Sequence, residues 1–423
     1  MKWELPIIAA SVLAVAGVSR RLTDSPVTPA MAFVALGLLV GPLVIDQVNN
    51  AQTSATVRTL AEATLAVVLF ADASRIKLQR LRHEYAVPLR LLGIGLPLTI
   101  AVGALLAAGV LNLNVTEAIV LAIVLAPTDA ALGQAVITEP RLPSRIRQGL
   151  NVESGLNDGI CVPLLLIALA AADVQDNVAT SRHAVTIVAE EIGYGALGGI
   201  VVGVAAAVVI AFGYRRRLVT ESWMQVIPTA GSALAYGLAS ALGGSGFIAA
   251  FLGGAIFGRL AGRESERASR LNEEVGAVLG GVTFLIFGAV LLGPTLEHVS
   301  WRIALYAALS LTAIRMVPVA IAMVGTGARW QTVGFLGWFG PRGLASIVFA
   351  VIAVQEAHLA HANTILLTTY LTIGLSVLAH GITAAPLARR YAAWYESRAR
   401  HRQPAMESVV APEQRTRGSA PQP

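Results

Sequence analysis

Apolar runs of about 20 residues alternate with short polar connectors along almost the whole chain, and about 20 residues is the length an α-helix needs to cross hydrocarbon. Thirteen such runs are legible, at residues 5–19, 27–45, 57–74, 85–109, 115–138, 147–171, 184–213, 222–241, 245–261, 273–292, 301–324, 330–354 and 364–388. They are continuously apolar, which predicts an all-α membrane protein with thirteen transmembrane spans and not a barrel. The first run resembles a signal peptide in length, but a lysine and a glutamate precede it and no clear cleavage site follows, so it reads as a retained first span. From about Tyr391 to Pro423 the chain turns polar and rich in arginine, proline and glutamine, which predicts a disordered tail over 391–423 behind a transmembrane unit over 1–390.

Composition agrees. Of 423 residues 55% are apolar and only 13% charged, and the mean hydropathy is +0.68, so polar surface is too scarce to cover a water-soluble protein of this size. The single cysteine, Cys161, sits inside an apolar run, which leaves no disulfide framework and no cysteine metal site. His183, His298, His358, His361 and His380 show no metal-ligand spacing.

The net charge of +6 raises the question of an anionic partner, and its placement answers it. With the N-terminus outside, the inside segments hold Arg20 and Arg21; Arg75, Lys77, Arg80 and Arg82; Arg141, Arg145 and Arg147; Arg215, Arg216 and Arg217; Arg259, Arg263, Arg267 and Arg270; Arg329; and the arginines of the tail. The outside segments hold only Lys2, Arg58, Arg182 and Arg302. This alternation predicts an N-outside, C-inside protein whose positive charge serves orientation and contact with anionic lipid. A nucleic-acid partner has little support.

The two halves of the chain echo one another. Span 2 carries Gly37-Leu-Leu-Val-Gly41-Pro42 and span 9 carries Gly254-Ala-Ile-Phe-Gly258, an offset of 217 residues. Span 5 contains Ala126-Pro127-Thr128-Asp129-Ala130 and span 12 contains Phe339-Gly340-Pro341-Arg342-Gly343, with the prolines 214 residues apart. Equivalent positions are separated by seven spans, an odd number, so the second six-span copy is inverted and span 7 links the two. Matching interruptions in inverted repeats point to an ion site near the midplane, because unwound backbone supplies binding groups there. Ordinary proline kinks are the plain alternative, but each break carries an ionisable residue, Asp129 or Arg342, for which a silent kink has no use.

A carboxylate at the bilayer centre costs about 2.5–3.5 kcal/mol even on lenient scales, so Asp129, Glu153 and Asp158 need reasons to exist. In Glu153-Ser154-Gly155-Leu156-Asn157-Asp158, helical spacing sets Ser154 and Asp158 on one face and Glu153 and Asn157 on the next. Asp158 is the expected carrier: a carboxylate binds a proton or a hard monovalent cation but not both, and that competition is itself a coupling mechanism. Asp129, the freed carbonyls around Thr128 and the Ser154 hydroxyl offer the further oxygens that a dehydrated cation needs. Asn157 hydrogen-bonds unwound backbone without adding a second titrating charge. Arg315 also lies mid-span and needs an anion, so Glu153 is expected to form a structural ion pair with it. Arg342 is expected to neutralise helix-end carbonyls. Asp72, near the inner end of span 3, either lines the approach to the site or faces the loop.

With these motifs in combination, Thr128-Asp129, Glu153 to Asp158, Arg315 and Gly340-Pro341-Arg342-Gly343, the chain over about residues 5–390 resembles the sodium/proton antiporters of the monovalent cation:proton antiporter family, in its electroneutral bacterial branch. The resemblance implies a homodimer in a bacterial inner membrane, with spans 1–3 and 8–10 as dimer scaffold and spans 4–6 and 11–13 as a core moving by elevator-like alternating access. It implies ion binding at Asp158 with help from Thr128 and Asp129, and a Glu153–Arg315 salt bridge. Asp72 aligns with a family glutamate and is one methylene shorter. The Asn-Asp pair resembles that of one-for-one exchangers, in which no net charge moves, whereas each uncompensated charge would couple to the membrane potential by about 2.3 kcal/mol per 100 mV. The expected substrates are protons and sodium or lithium, with no cofactor and no resident metal. A potassium/proton antiporter of the same fold is the first alternative, and a symporter of an organic anion, for which only Arg342 offers a positive site, is the second. A membrane-embedded hydrolase finds no nucleophile–base pair at the breaks, so no enzyme activity is expected.

Overall fold

The computed structural model describes residues 4–23, 25, 27–48, 51–76, 86–175, 181–397 and 405–408. Among these the chain is helical, with no strand. The helices are α1 (Glu4–Thr23), α2 (Pro29–Val48) and α3 (Ala51–Arg75); α4 (Ala86–Leu111), which holds a π-helical stretch at Leu91–Gly95; and α5 (Val115–Val124), α6 (Gln134–Ile137), α7 (Ser144–Gln175), α8 (Ser181–Arg216), α9 (Glu221–Ala241) and α10 (Gly246–Ala261). Then come α11 (Arg263–Ile286), continued by a π stretch Phe287–Leu292 and by Gly293–Glu297, followed by α12 (Trp301–Leu311), α13 (Ala313–Ala322), α14 (Trp330–Trp338), α15 (Leu344–Glu356), α16 (Ala362–Glu396) and the short α17 (Ala405–Ser408). Each expected apolar run holds a helix or a pair of helices. Seven helices are long and apolar enough to cross a membrane, and four shorter apolar helices accompany them among the described residues. Lys2, Lys77, Arg80 and Arg82, used in reading the orientation, lie outside the described residues.

Local chemistry sets several boundaries. The side chains of Asn114, Ser245 and Ser300 accept the backbone N–H three residues on and start α5, α10 and α12. Asn112 ends α4 in the left-handed conformation at φ 56°. The long α8 turns Leu197, Val201 and Val208 outward, the exposure that a helix facing lipid presents.

The expected echo between the halves appears in the packing. A Cβ on Gly37 of α2 would run into the Leu285 carbonyl of α11, and one on Gly41 would lie 2.8 Å from the Ala289 carbonyl oxygen. A Cβ on Gly254 of α10 would run into the Phe70 carbonyl of α3, and one on Gly258 into that of Ser74. Span 2 thus packs on span 10 as span 9 packs on span 3, a reciprocal pairing that lets backbones approach closely.

The tail expectation needs correction. α16 continues to Glu396, and α17 docks against the helical body with Met406 and Glu407 buried. The polar sequence conceals the aromatic residues Tyr391 and Trp394 and the apolar Met406, which pack together at one end of the bundle. Residues 398–404 and 409–423 lie outside the described residues.

The close approaches make a prediction. Gly254→Val should abolish recovery of monodisperse protein by size-exclusion chromatography, because the clash is with backbone, which has no rotamer to escape into. Gly109→Val, where nothing lies within 4 Å, should leave both yield and melting temperature unchanged.

Candidate functional site

Proline removes a ladder hydrogen bond and kinks or breaks a helix, and at both expected places the helix stops. α5 ends at Val124 and α14 at Trp338; the breaks between them and α6 and α15 contain Pro127 and Pro341. The two breaks meet. The Asp129 N–H donates to the Pro341 carbonyl at 2.7 Å, and the Asp129 carboxylate accepts from the N–H of Leu344 at 3.2 Å and from that of Ala131 at 2.8 Å. α15 has no side-chain cap of its own, so Asp129 sets a negative charge at its positive end. In the opposite sense Arg342, wholly buried, donates from Nη1 to the carbonyls of Ala126 at 2.9 Å and Pro127 at 3.3 Å, beyond the end of α5. Each break carries the charge that satisfies the other. Gly343 has to be glycine here, since a Cβ would overlap the Asp129 carboxylate.

One polar face of α7 docks on the first break. Ser154 Oγ donates to the Thr128 carbonyl, and Asn157 Nδ2 donates to Thr128 Oγ1 at 2.7 Å. Asp158, one turn beyond Ser154, is buried. Glu153 does not join this group. Its carboxylate takes a bidentate pair from Arg315 of α13, Nη1 to Oε1 at 2.5 Å and Nη2 to Oε2 at 2.8 Å, with both side chains 3% exposed. Gly340 allows this approach, because a Cβ there would overlap the guanidinium.

A small cavity lies beside the break, lined by Thr128, Asp129, Ala130, Gly133, Val136, Ile137, Leu150, Ser154, Phe339 and Pro341. Its α6 wall includes Val136 and Ile137, and Glu139 follows in the connector to α7. There Arg141 Nε donates to the Glu139 carboxylate at 2.8 Å, and this bond holds the carboxyl below its ordinary range. Asp158 and Asn157 do not line the cavity, which reaches α7 at Ser154, one turn short of Asp158.

Asp72 is buried beside α7: its Cβ would lie 3.8 Å from a Cβ on Gly155. Its carboxylate also faces Arg75 at 3.2 Å, and Arg75 reaches Glu273 of α11 at 3.1 Å.

Several polar residues of the interior were not singled out in the sequence. Ser376 Oγ accepts the Arg342 N–H at 2.7 Å, and His380, stacked on Trp338, bonds to Ser376 and to the Trp338 carbonyl. Buried Glu117 accepts both the backbone N–H and the ring Nδ1 of His361, each at 2.7 Å, ahead of α16. The i, i+4 spacing of Ser376 and His380 was the available signal. For Glu117 and His361 there was none, since 244 residues separate them.

The transmembrane sodium/hydrogen exchanger family model matches residues 7–390. The K(+)/H(+) antiporter NhaP of Alkalimonas amylolytica is 24% identical over 368 residues, which are 85% of this chain and 62% of that protein. Na(+)/H(+) antiporter 2 of Zygosaccharomyces rouxii is 24% identical over 360 residues, 79% of this chain and 44% of that protein. The chain thus spans about half the length of the curated relatives it matches. The fold is that of the sodium proton antiporter MjNhaP1 of Methanocaldococcus jannaschii, with a TM-score of 0.71 at 19% identity, covering 89% of this chain and 98% of that one.

Removing Arg315 strands a buried carboxylate, which costs about 3–5 kcal/mol. Arg315→Ala should therefore lower the melting temperature of the purified protein sharply, and Arg315→Met combined with Glu153→Leu should recover most of the loss. An Arg315→Ala protein as stable as the parent would refute the pairing as a structural element.

Proposed function

The chain belongs to the sodium/hydrogen exchanger family, and from that premise we propose that it is a secondary transporter exchanging a monovalent cation, sodium or lithium first, for protons. The observation that carries the reading is the docking of α7 on the first break, where Ser154 and Asn157 both hold Thr128. Glu153 is committed to Arg315, and cation and proton compete for Asp158, the buried acid one turn beyond Ser154. Thr128, Ser154 and Asp129 surround the cavity by which a cation reaches it; Asp129 serves first as the cap of α15 and only through its remaining lone pairs as a ligand. Asn157 keeps the titrating count at one, which supports one-for-one, electroneutral exchange. Asp72 flanks the path from α3.

The scheme extends to the whole assembly. α4–α7 and α12–α16 form the translocating core, α1–α3 and α9–α11 the scaffold of a homodimer, and α8 the link between the repeats. The core moves as an elevator in a bacterial inner membrane, with the N-terminus outside and the C-terminus in the cytoplasm. In that orientation the cavity opens to the cytoplasm.

A potassium/proton antiporter is favoured as the second reading by relatives that bear that name. An organic-anion symporter is disfavoured, because Arg342 is fully buried and its Nη1 is committed to the break.

Purified protein in liposomes with an imposed pH gradient should dissipate it on addition of sodium or lithium, and running potassium and rubidium in parallel separates the two readings. No response to any alkali cation sinks the antiporter. Asp158→Asn should abolish exchange at an unchanged melting temperature, since it removes the titrating group and keeps the shape; normal exchange would move the carrier role to Asp129. Because protons and cations compete, the apparent KM for the cation should rise as pH falls while the maximal rate holds. Rates measured at two clamped membrane potentials should agree.

A further inference from the structure

The nine-residue α14 runs from Trp330 to the second break, and its own first residues supply no side-chain cap. A helix so short has little stability alone. Its cap comes from the far end of the chain: Glu407 Oε1 accepts the N–H of Arg329, the N-cap position, at 3.2 Å and the Thr332 hydroxyl at 2.6 Å. Glu407 is 1% exposed and Met406 4%. Around them Arg145 of α7 donates to the Met406 carbonyl at 3.3 Å, Tyr395 of α16 to the Glu407 carbonyl at 3.3 Å, and Thr332 and Tyr391 share a hydrogen bond of 2.8 Å. The segment therefore touches the ends of α7, α14 and α16 at once.

An aromatic stack leads from this dock to the cavity. Tyr391 lies on Phe335 with centroids 4.4 Å apart, Phe335 on Phe339 at 4.6 Å, and Phe339 lines the cavity beside Pro341. Met406 belongs to the same apolar cluster.

We propose that Ala405–Ser408 is an intramolecular latch that docks into the notch between α7, α14 and α16, and that Glu407 is a positioning residue which, by capping α14, fixes the Phe339 wall of the cation cavity. A carboxylate at a helix N-terminus satisfies free N–H groups and meets the positive end of the dipole, so seating the latch orders α14 and unseating it frees the cavity wall. The notch is thereby a binding site for the chain's own Glu407-bearing segment.

The consequence for cation affinity rests on the antiport reading; the docking itself does not. Full-length Glu407→Ala in liposomes should raise the KM for sodium several-fold at a nearly unchanged maximal rate, and a synthetic peptide of residues 398–423 added on both sides of the membrane should restore it. In detergent the same peptide should raise the melting temperature of Glu407→Ala and leave the parent unmoved. An unchanged KM overturns the latch. So does a fall in rate that the peptide does not reverse, because that is the signature of a merely structural contact. If the parent protein exchanges nothing, the antiport reading fails, and the peptide-dependent melting temperature then decides the latch: a shift specific to the variant upholds it and no shift overturns it.

Discussion

Hydrocarbon offers no water to a free backbone group, so an interruption in a membrane helix survives only if the protein satisfies it from within. The interior is organised around that constraint. Two stretches of chain have lost their helical hydrogen bonds, at 125–133 and 339–343, and they are set against each other so that one supplies an anion and the other a cation. Asp129 serves the N-terminus of α15, and Arg342 the carbonyls beyond α5. Removing either charge strands the backbone groups it serves, which is why both sit where a single charge is so costly. The reciprocal arrangement follows from the repeat: residues near positions 127 and 341 are equivalent, and two equivalent breaks that meet must treat each other alike.

Once the breaks are held, the chemistry of α7 sorts itself. Glu153 and Asp158 are five residues apart on one helix, and Glu153 faces the buried guanidinium of Arg315. A bidentate pair in a dry setting binds its partners tightly and leaves no room for an exchanging ion. Ser154 and Asn157 are committed to Thr128, which ties α7 to the first break and fixes the register in which Asp158 is presented. Glu153, Ser154 and Asn157 thus hold the scaffold around Asp158, the carboxylate proposed to exchange ions.

How much of this was legible follows from where the information lay. The breaks, the Glu153–Arg315 pair and the polar face of α7 could be read because each rests on a local rule or on a cost that a lone charge in a membrane cannot escape. Arg342 reached helix-end carbonyls as its position beside Pro341 implied. Asp129 was read as an ion ligand, and its backbone partner Leu344, 215 residues away, was invisible to periodicity. Asp72 likewise showed its acid but not the whole chain of charges, since Glu273, which Arg75 also reaches, comes from α11. The docked tail was missed for the converse reason: a polar, proline-bearing stretch predicts disorder, and nothing in Ala405–Ser408 signals that the helix it caps lacks a cap of its own.

The face of α7 that meets α3 and α10 bears on the proposed elevator. Gly155 and Gly159 lie one turn apart there, Gly155 against Asp72 and Ile76, and Gly159 against the ring of Phe251, which a Cβ would overlap. Along the same helix Ser154 and Asp158 face the break. Movement of a core past a scaffold is opposed by interdigitated side chains, each of which must unlock before the next position is reached. Glycines one turn apart take two side chains out of this face beside Asp158, although the Phe251 ring fills the space at Gly159. The close glycine contacts between α2 and α11 and between α10 and α3 work in the opposite way, because there backbone meets backbone on both sides and the pair is held rigid. Small residues thus serve two mechanical ends in one bundle, and the difference lies in what stands opposite them.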